Sequence, residues 1–170
     1  MILALDTYYF PDNAQTAGVF FTWKDAQPSS YFANTLDEVQ DYVPGAFYKR
    51  ELPCILHLLQ TLDLSETEAI LIDGHVYVDN DKKYGLGGYL WEALEQKIPI
   101  IGVAKRPFKG NEKVCQPVFR GTSKNPLYVS TIGANLGKAA ANVKAMHGEF
   151  RIPDVLKKLD QLSREPLGDS

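Results

Sequence analysis

Two short apolar runs in this chain of 170 residues stop abruptly on a carboxylate. Ile2, Leu3 and Leu5 run into Asp6. Ile70, Leu71 and Ile72 run into Asp73, with Gly74 and His75 directly after it. A short continuous apolar run bounded by turn residues reads as a strand buried on both faces. Such strands belong in the middle of a sheet covered by helices on both sides, so these two runs restrict the fold to a layered α/β arrangement.

The remaining segments fill in that frame. "AGVFFTWKD" (17–25) and "SSYFAN" (29–34) carry aromatic and β-branched residues and read as strands joined by a turn around Gln27-Pro28-Ser29, which makes an antiparallel meander with residues 1–9. Between 51 and 64, Leu52, Ile55, Leu56, Leu59 and Leu62 recur at spacings of three and four, the pattern of a helix with one buried stripe, with Pro53 in its first turn. A strand at 69–72, a helix at 88–97 and a strand at 98–104 follow. "CQPVFRG" and "NPLYVSTIG" alternate as a hairpin, and 134–146 and 153–163 read as helices. Alternation of strand and helix implies parallel pairing through right-handed crossovers, with the first strand beside the fourth. The expected architecture is a single domain over 1–170, with a mixed central sheet flanked by helices.

In such a sheet, ligands gather at the carboxyl ends of the parallel strands, where Asp6 and Asp73 both fall. Either acid alone is compatible with ordinary turn chemistry. Two carboxylates on neighbouring strands lie about 5 Å apart and repel unless a proton or cation stands between them. A hard divalent cation is the natural occupant.

Composition narrows the function classes. A formal net charge of −3 argues against a protein that coats nucleic acid generally, but not against a local basic site. One local excess exists: Lys105, Arg106, Lys109 and Lys113 stand against only Glu112. Charge alone leaves open a solvated loop or a phosphate-facing one. No apolar stretch approaches a membrane span and no signal peptide is visible, so a cytoplasmic protein with no membrane contact is expected. Cys54 and Cys115 form no zinc-ligand spacing and read as free thiols. No obligate protein partner is evident.

The most specific segment is "YVPGAFYKRELP" at 42–53, which resembles the Y-x-P-G-x-x-x-x-R-E signature of the endonuclease V family. Asp6 with Tyr9 resembles that family's D-x-x-aromatic first strand, "LIDGH" its V-D-G-H, and "IPIIGVAKRPFKG" its P-x-I-G-V-A-K-x-x-x-x-G. "NPLYVSTIG" and "FRIPD" resemble its late segments. The resemblance spans nearly the whole chain with its motifs in order. It implies an RNase H-like fold and a Mg²⁺-dependent endonuclease, with Mn²⁺ as a substitute. Such an enzyme cuts a strand on the 3′ side of a deaminated base, inosine, in DNA or RNA. By position, the resemblance makes Asp6, Glu51 and Asp73 the metal-binding acids and Lys105 the catalytic lysine. Tyr42, Val43 and Pro44 would be a wedge beside the flipped base, and Gly45, Gly74 and Gly102 would line its pocket. His75 and Arg106 are further candidates for contact with the nucleic acid.

The chemistry agrees with these roles. Phosphodiester hydrolysis needs an activated water and charge neutralisation, which a carboxylate-held Mg²⁺ supplies. A lysine acts on a phosphate as a point charge. Three departures stand out. Val76 occupies a family glycine position and is expected to put a branched side chain into the purine pocket. Asp79-Asn80 stand where the family has a histidine-proline pair. "STIGANL" lacks the histidine expected near the metal, with Thr131 or Asn135 as candidates to hold a water in its place. A nuclease of the same fold with another specificity, and a nucleic-acid-binding protein that has lost catalysis, are the alternatives. A small-molecule metal phosphohydrolase is a more distant one. Trp91 and Leu94 are expected in the core, with Tyr8 and Phe10 packed under the sheet. His57 is expected to be partly exposed, Lys82 and Lys83 to contact the nucleic-acid backbone, and Arg50 either to pair with an acid or to touch the nucleic acid.

Overall fold

A computed structural model of the chain describes residues 1–37, 39, 41, 43–44, 46 and 48–167. Seven strands form one sheet in the order β3-β2-β1-β4-β5-β7-β6. They are β1 (Ile2–Tyr9), β2 (Ala14–Phe21), β3 (Ser30–Leu36), β4 (Ala69–Ile72), β5 (Ile100–Ala104), β6 (Gln116–Val118) and β7 (Leu127–Ile132). Strands β1, β4 and β5 run parallel through the centre, and the other pairings are antiparallel. The helices are α1 (Tyr48–Leu59), α2 (Leu86–Ala93), α3 (Leu136–Ala145) and α4 (Asp154–Arg164).

The central strands are apolar on both faces because each face is covered. Leu3, Leu5, Ile70, Ile72 and Ile100 pack with α1 and α2 through Ile55, Leu58, Leu86 and Leu90. Ile2, Ala4, Ala69, Leu71, Ile101 and Val103 pack on the other face with α3 and α4 through Ala139, Val143, Val155 and Leu159. Successive strand residues point to opposite faces. That alternation puts Asp6 of β1, and Asp73 and Lys105 just past the ends of β4 and β5, on the face that carries α4.

The meander, the late hairpin and the pairing of the first strand with the fourth are as expected from sequence. Boundaries differ where side chains close turns. β2 ends at Phe21 because the Thr22 amide donates to Asp25 Oδ2 at 2.8 Å and the Asp25 amide to the Thr22 carbonyl at 3.0 Å, so 22–25 is a turn and not strand. α1 begins at Tyr48, which moves Pro53 from the first turn into the helix body and Glu51 into the first turn. α2 stops at Ala93 because Glu95 and Gln96 adopt left-handed backbone, with φ of 57° and 61°. Trp91 and Leu94 pack against the core as expected. Tyr8 meets Phe10 edge-on at 5.0 Å.

Candidate functional site at the carboxyl edge of the sheet

Leu5 of β1 pairs with Ile72 of β4, so Asp6 and Asp73 occupy the next positions on adjacent parallel strands. Lys105 directly follows β5, the neighbour of β4 on its other side. Its Nζ stands 3.7 Å from Asp73 Oδ2. Both side chains are about half exposed, so this pair adds little stability and its importance is placement. Asp6, Asp73 and Lys105 line one cleft on the α4 face together with Asp160 of α4.

Asp160 escaped the sequence reading. It lies four residues after Leu156 and three before the buried Ser163, on the flank of the stripe that α4 presents to the sheet. An acid at that helical spacing from buried residues was the available signal. Arg164 Nε holds it, at 3.2 Å from both carboxylate oxygens. Ser163 Oγ lies 3.4 Å from Asp6 Oδ2 and donates to the Asp160 carbonyl at 2.8 Å.

Glu51 approaches from α1 on the opposite face. A helix N-terminus favours a carboxylate there by roughly 0.3–1 kcal/mol. Burial and the charges of Asp6 and Asp73 outweigh that preference and push the Glu51 carboxyl up to about 8. Asp6 is pushed up to about 7, first by burial, then by Asp73, with Asp160 adding to it and Lys105 and the Thr7 amide opposing. Burial also raises Asp73, with Lys105 pulling it back. The carboxylates are mutually repelling hard oxygen donors, and this donor chemistry fits a divalent cation. Among the described residues, no three His, Cys, Asp or Glu side chains are already drawn into a closed metal-binding cluster.

A cavity of about 420 Å³ opens beside Glu51 and Asp73. Its walls include Tyr48, Tyr84 and Phe108, with Gly74, His75, Asp79 and Lys83 also lining it. Tyr48 stacks on Tyr89 at 3.8 Å. His75 is fixed: its Nε2 sits 3.0 Å from the Arg106 carbonyl and its Nδ1 3.2 Å from the Asn111 amide nitrogen. A carbonyl only accepts, so Nε2 carries the proton and Nδ1 accepts from Asn111. Burial lowers the His75 pKa. Both ring nitrogens are occupied, which leaves His75 as a wall of the cavity.

Several expectations need correction. Val76 does not intrude on the cavity: it is fully buried in the core with Ile72, Leu86, Leu90 and Ile100, and it is absent from the lining. Gly102 lies beneath the cavity, not on its wall. A Cβ there would stand 2.5 Å from the Gly74 carbonyl oxygen and 2.8 Å from Ser130 Oγ. Thr131 donates to the Ala134 carbonyl and Asn135 caps α3 through the Lys138 amide. Asp79 Oδ1 closes its own turn by accepting from the Asp81 and Lys83 amides, and Asn80 accepts from the Lys113 amide. Arg50 lies over the Tyr9 ring at 3.7 Å. As expected, His57 is partly exposed and Cys54 and Cys115 are free thiols. Val43 and Pro44 are exposed, as are Lys82, Lys83 and Arg106. Tyr42 and Gly45 lie outside the described residues. Arg151, named only within a motif, donates to the carbonyls of Lys105 and Pro126 and so ties the end of β5 to the loop before α4.

The seven-stranded mixed sheet with helices on both faces and acids at its carboxyl edge is RNase H-like, as in the endonuclease V structures it resembles. The endonuclease V family model matches residues 1–161, and the chain belongs to the endonuclease V family. It is 30% identical over 172 residues to endonuclease V of Ignicoccus hospitalis, covering 94% of this chain and 79% of the relative. It is 29% identical over 149 residues to that of Streptomyces coelicolor, where the match takes in 76% of this chain. That match spans only 62% of the length of the Streptomyces relative. Endonuclease V of Streptomyces avermitilis superposes with a TM-score of 0.79 at 25% identity, over 96% of this chain and 79% of that one. The Ciona intestinalis enzyme, solved in complex with a 24-mer DNA containing an inosine followed by a ribo-adenosine, gives a TM-score of 0.78 at 19% identity. It covers 96% of this chain and 84% of that one.

Proposed function

We propose that the chain is a Mg²⁺-dependent endonuclease that hydrolyses a phosphodiester bond on the 3′ side of inosine in DNA or RNA, with Mn²⁺ as a substitute ion. It would serve repair of deaminated DNA or processing of RNA in the cytoplasm. The observation that carries the reading is the placement of Asp6 within β1 next to Asp73 just past the end of the neighbouring strand β4, flanked by Lys105 and adjoining an aromatic-walled cavity.

Asp6, Glu51, Asp73 and Asp160 are the residues that would hold the ion. When bound, it supplies charge neutralisation at the phosphate and a more acidic water. Lys105 places a positive charge next to Asp73, where it would meet a phosphate oxygen. Tyr48, Tyr84 and Phe108 offer flat apolar faces to an unstacked base, an interaction worth about 1–3 kcal/mol per base. His75, hydrogen-bonded at both ring nitrogens, keeps the basic segment 105–113 against the cavity.

The test is nicking of a single-inosine oligonucleotide, in DNA and RNA forms, with Mg²⁺ or Mn²⁺. Cleavage that needs the ion and is lost in Asp73→Asn supports the reading. Equal cleavage of inosine-containing and unmodified strands removes the inosine assignment, and metal-independent cleavage removes the mechanism.

A further inference from the structure

Gln15 is a polar side chain among the largest that are fully buried, with 1% of its surface exposed. It sits on β2 opposite Tyr8, one pair along from Thr7–Thr16 and two from Asp6–Ala17. Partners in an antiparallel ladder, and positions two apart along it, share a face. Gln15 therefore lies on the Asp6 side of the sheet, beneath α4.

Among the described residues, its side-chain hydrogen bonds go to the end of that helix and the segment just after it. Nε2 lies 3.2 Å from the Leu162 carbonyl, 3.2 Å from that of Ser163 and 2.5 Å from that of Glu165. Oε1 accepts from the Leu167 amide at 3.2 Å. The last carbonyls of a helix have no partner within it. Here a side chain from the sheet, about 150 residues away in sequence, supplies one.

We infer that Gln15 is a positioning residue for the carboxylate site: by clamping the C-terminal turn of α4 it sets the rotation and depth at which Asp160 meets Asp6 and Asp73. Leu162 and Ser163 lie two and three residues past Asp160, within the same turn. Ser163 joins the two ends of the network. Its carbonyl accepts from Gln15, and its hydroxyl lies 3.4 Å from Asp6. The apolar contacts of Val155 and Leu159 hold the helix to the sheet but fix its register less sharply, because packing is not directional. A slip of one residue would move Asp160 by about 1.5 Å and turn it by about 100°. The polar clamp opposes that slip.

The inference rests on the proposed reading of the acids as ion ligands, and the experiment separates the two. Mn²⁺ binding to the full chain is measured by calorimetry for the wild type, Gln15→Met, Asp160→Asn and the double variant, with Asp6→Asn as control. Gln15→Met removes the clamp at nearly constant volume. We expect it to weaken Mn²⁺ about tenfold, as loss of a ligand-orienting partner does. In the Asp160→Asn background the same change should have no further effect, because the clamp acts through Asp160. An unchanged affinity in Gln15→Met, or a full additional loss in the double variant, overturns the inference. If Gln15→Met does not fold by circular dichroism, Gln15→Leu replaces it, and failure of both to fold assigns Gln15 a structural role instead. If Asp6→Asn also leaves Mn²⁺ binding unchanged, it is the metal reading that fails.

Discussion

Asp6 and Asp73 are neighbours across the sheet: each is the first residue past the Leu5–Ile72 pair of the adjacent parallel strands β1 and β4. Adjacent strands are about 4.8 Å apart, a separation at which two carboxylates strongly oppose each other's ionisation. Neutralising either one while keeping its shape should leave the fold intact and remove most of the attraction for a cation. Asp6→Asn and Asp73→Asn are each expected to lower metal-dependent nicking by about a hundredfold or more. Circular dichroism together with a metal titration of the nicking rate checks this.

Stability in the absence of metal should fall as pH rises. Folding raises Asp6 from 3.8 to about 7 and Glu51 from 4.5 to about 8. Between roughly pH 4 and 8 the folded protein holds protons that the unfolded chain has released, so raising pH favours unfolding. In EDTA, the melting midpoint is expected to be lower at about pH 8.5 than at about pH 5. Glu51→Gln should flatten that slope and raise the midpoint at the higher pH, by about 2–4 °C for each kcal/mol of repulsion removed. Thermal denaturation across pH measures it, and a midpoint that climbs from pH 5 to 8.5 in EDTA contradicts it.

Lys105 and the acids should separate in a binding-versus-rate comparison. Lys105→Met removes a positive charge 3.7 Å from Asp73 Oδ2. The bare carboxylates then attract a cation at least as strongly, whereas a phosphate loses its counter-charge. The expected outcome is Mn²⁺ affinity equal to or tighter than wild type, with nicking reduced by about a hundredfold. Calorimetry and single-turnover cleavage on the same preparation test the split. Weaker ion binding would place Lys105 in another role.

Val76 should matter to stability and not to base selection. It is fully buried, and its Cγ2 stands 2.8 Å from where a Cβ on Gly87 would lie, so it fills the contact between the turn after β4 and α2. Val76→Gly opens a cavity and loosens the backbone, at a cost of about 2–4 kcal/mol. The ratio of cleavage at inosine to cleavage at adenosine is expected to stay within about threefold of wild type, since buried core substitutions act mainly on stability. Chemical denaturation and paired cleavage assays report the two effects.

Much of the scaffold was legible because its signals are local. The run Ile70-Leu71-Ile72 and the spacing of Leu52, Ile55, Leu56 and Leu59 announce a buried strand and a one-sided helix without reference to distant residues. The placement of Asp73 and Lys105 at strand ends followed from the same patterns, whereas β1 continues past Asp6 to Tyr9. Element ends were less legible. A single side-chain bond, such as Asp25 to the Thr22 amide, decides where a strand stops, and the alternation of residues continues through it.

By itself, the sequence determined the layered α/β fold, the pairing of the first strand with the fourth, and the motifs that mark the family. Tertiary structure alone decided that Asp160 joins the acids, that Val76 and Gly102 belong beneath the cavity, and that Gln15 reaches the far end of the chain. The reason is physical. Periodicity reports which face of an element is apolar, but contact between elements depends on register and helix rotation. Those are set only when the whole core packs at once.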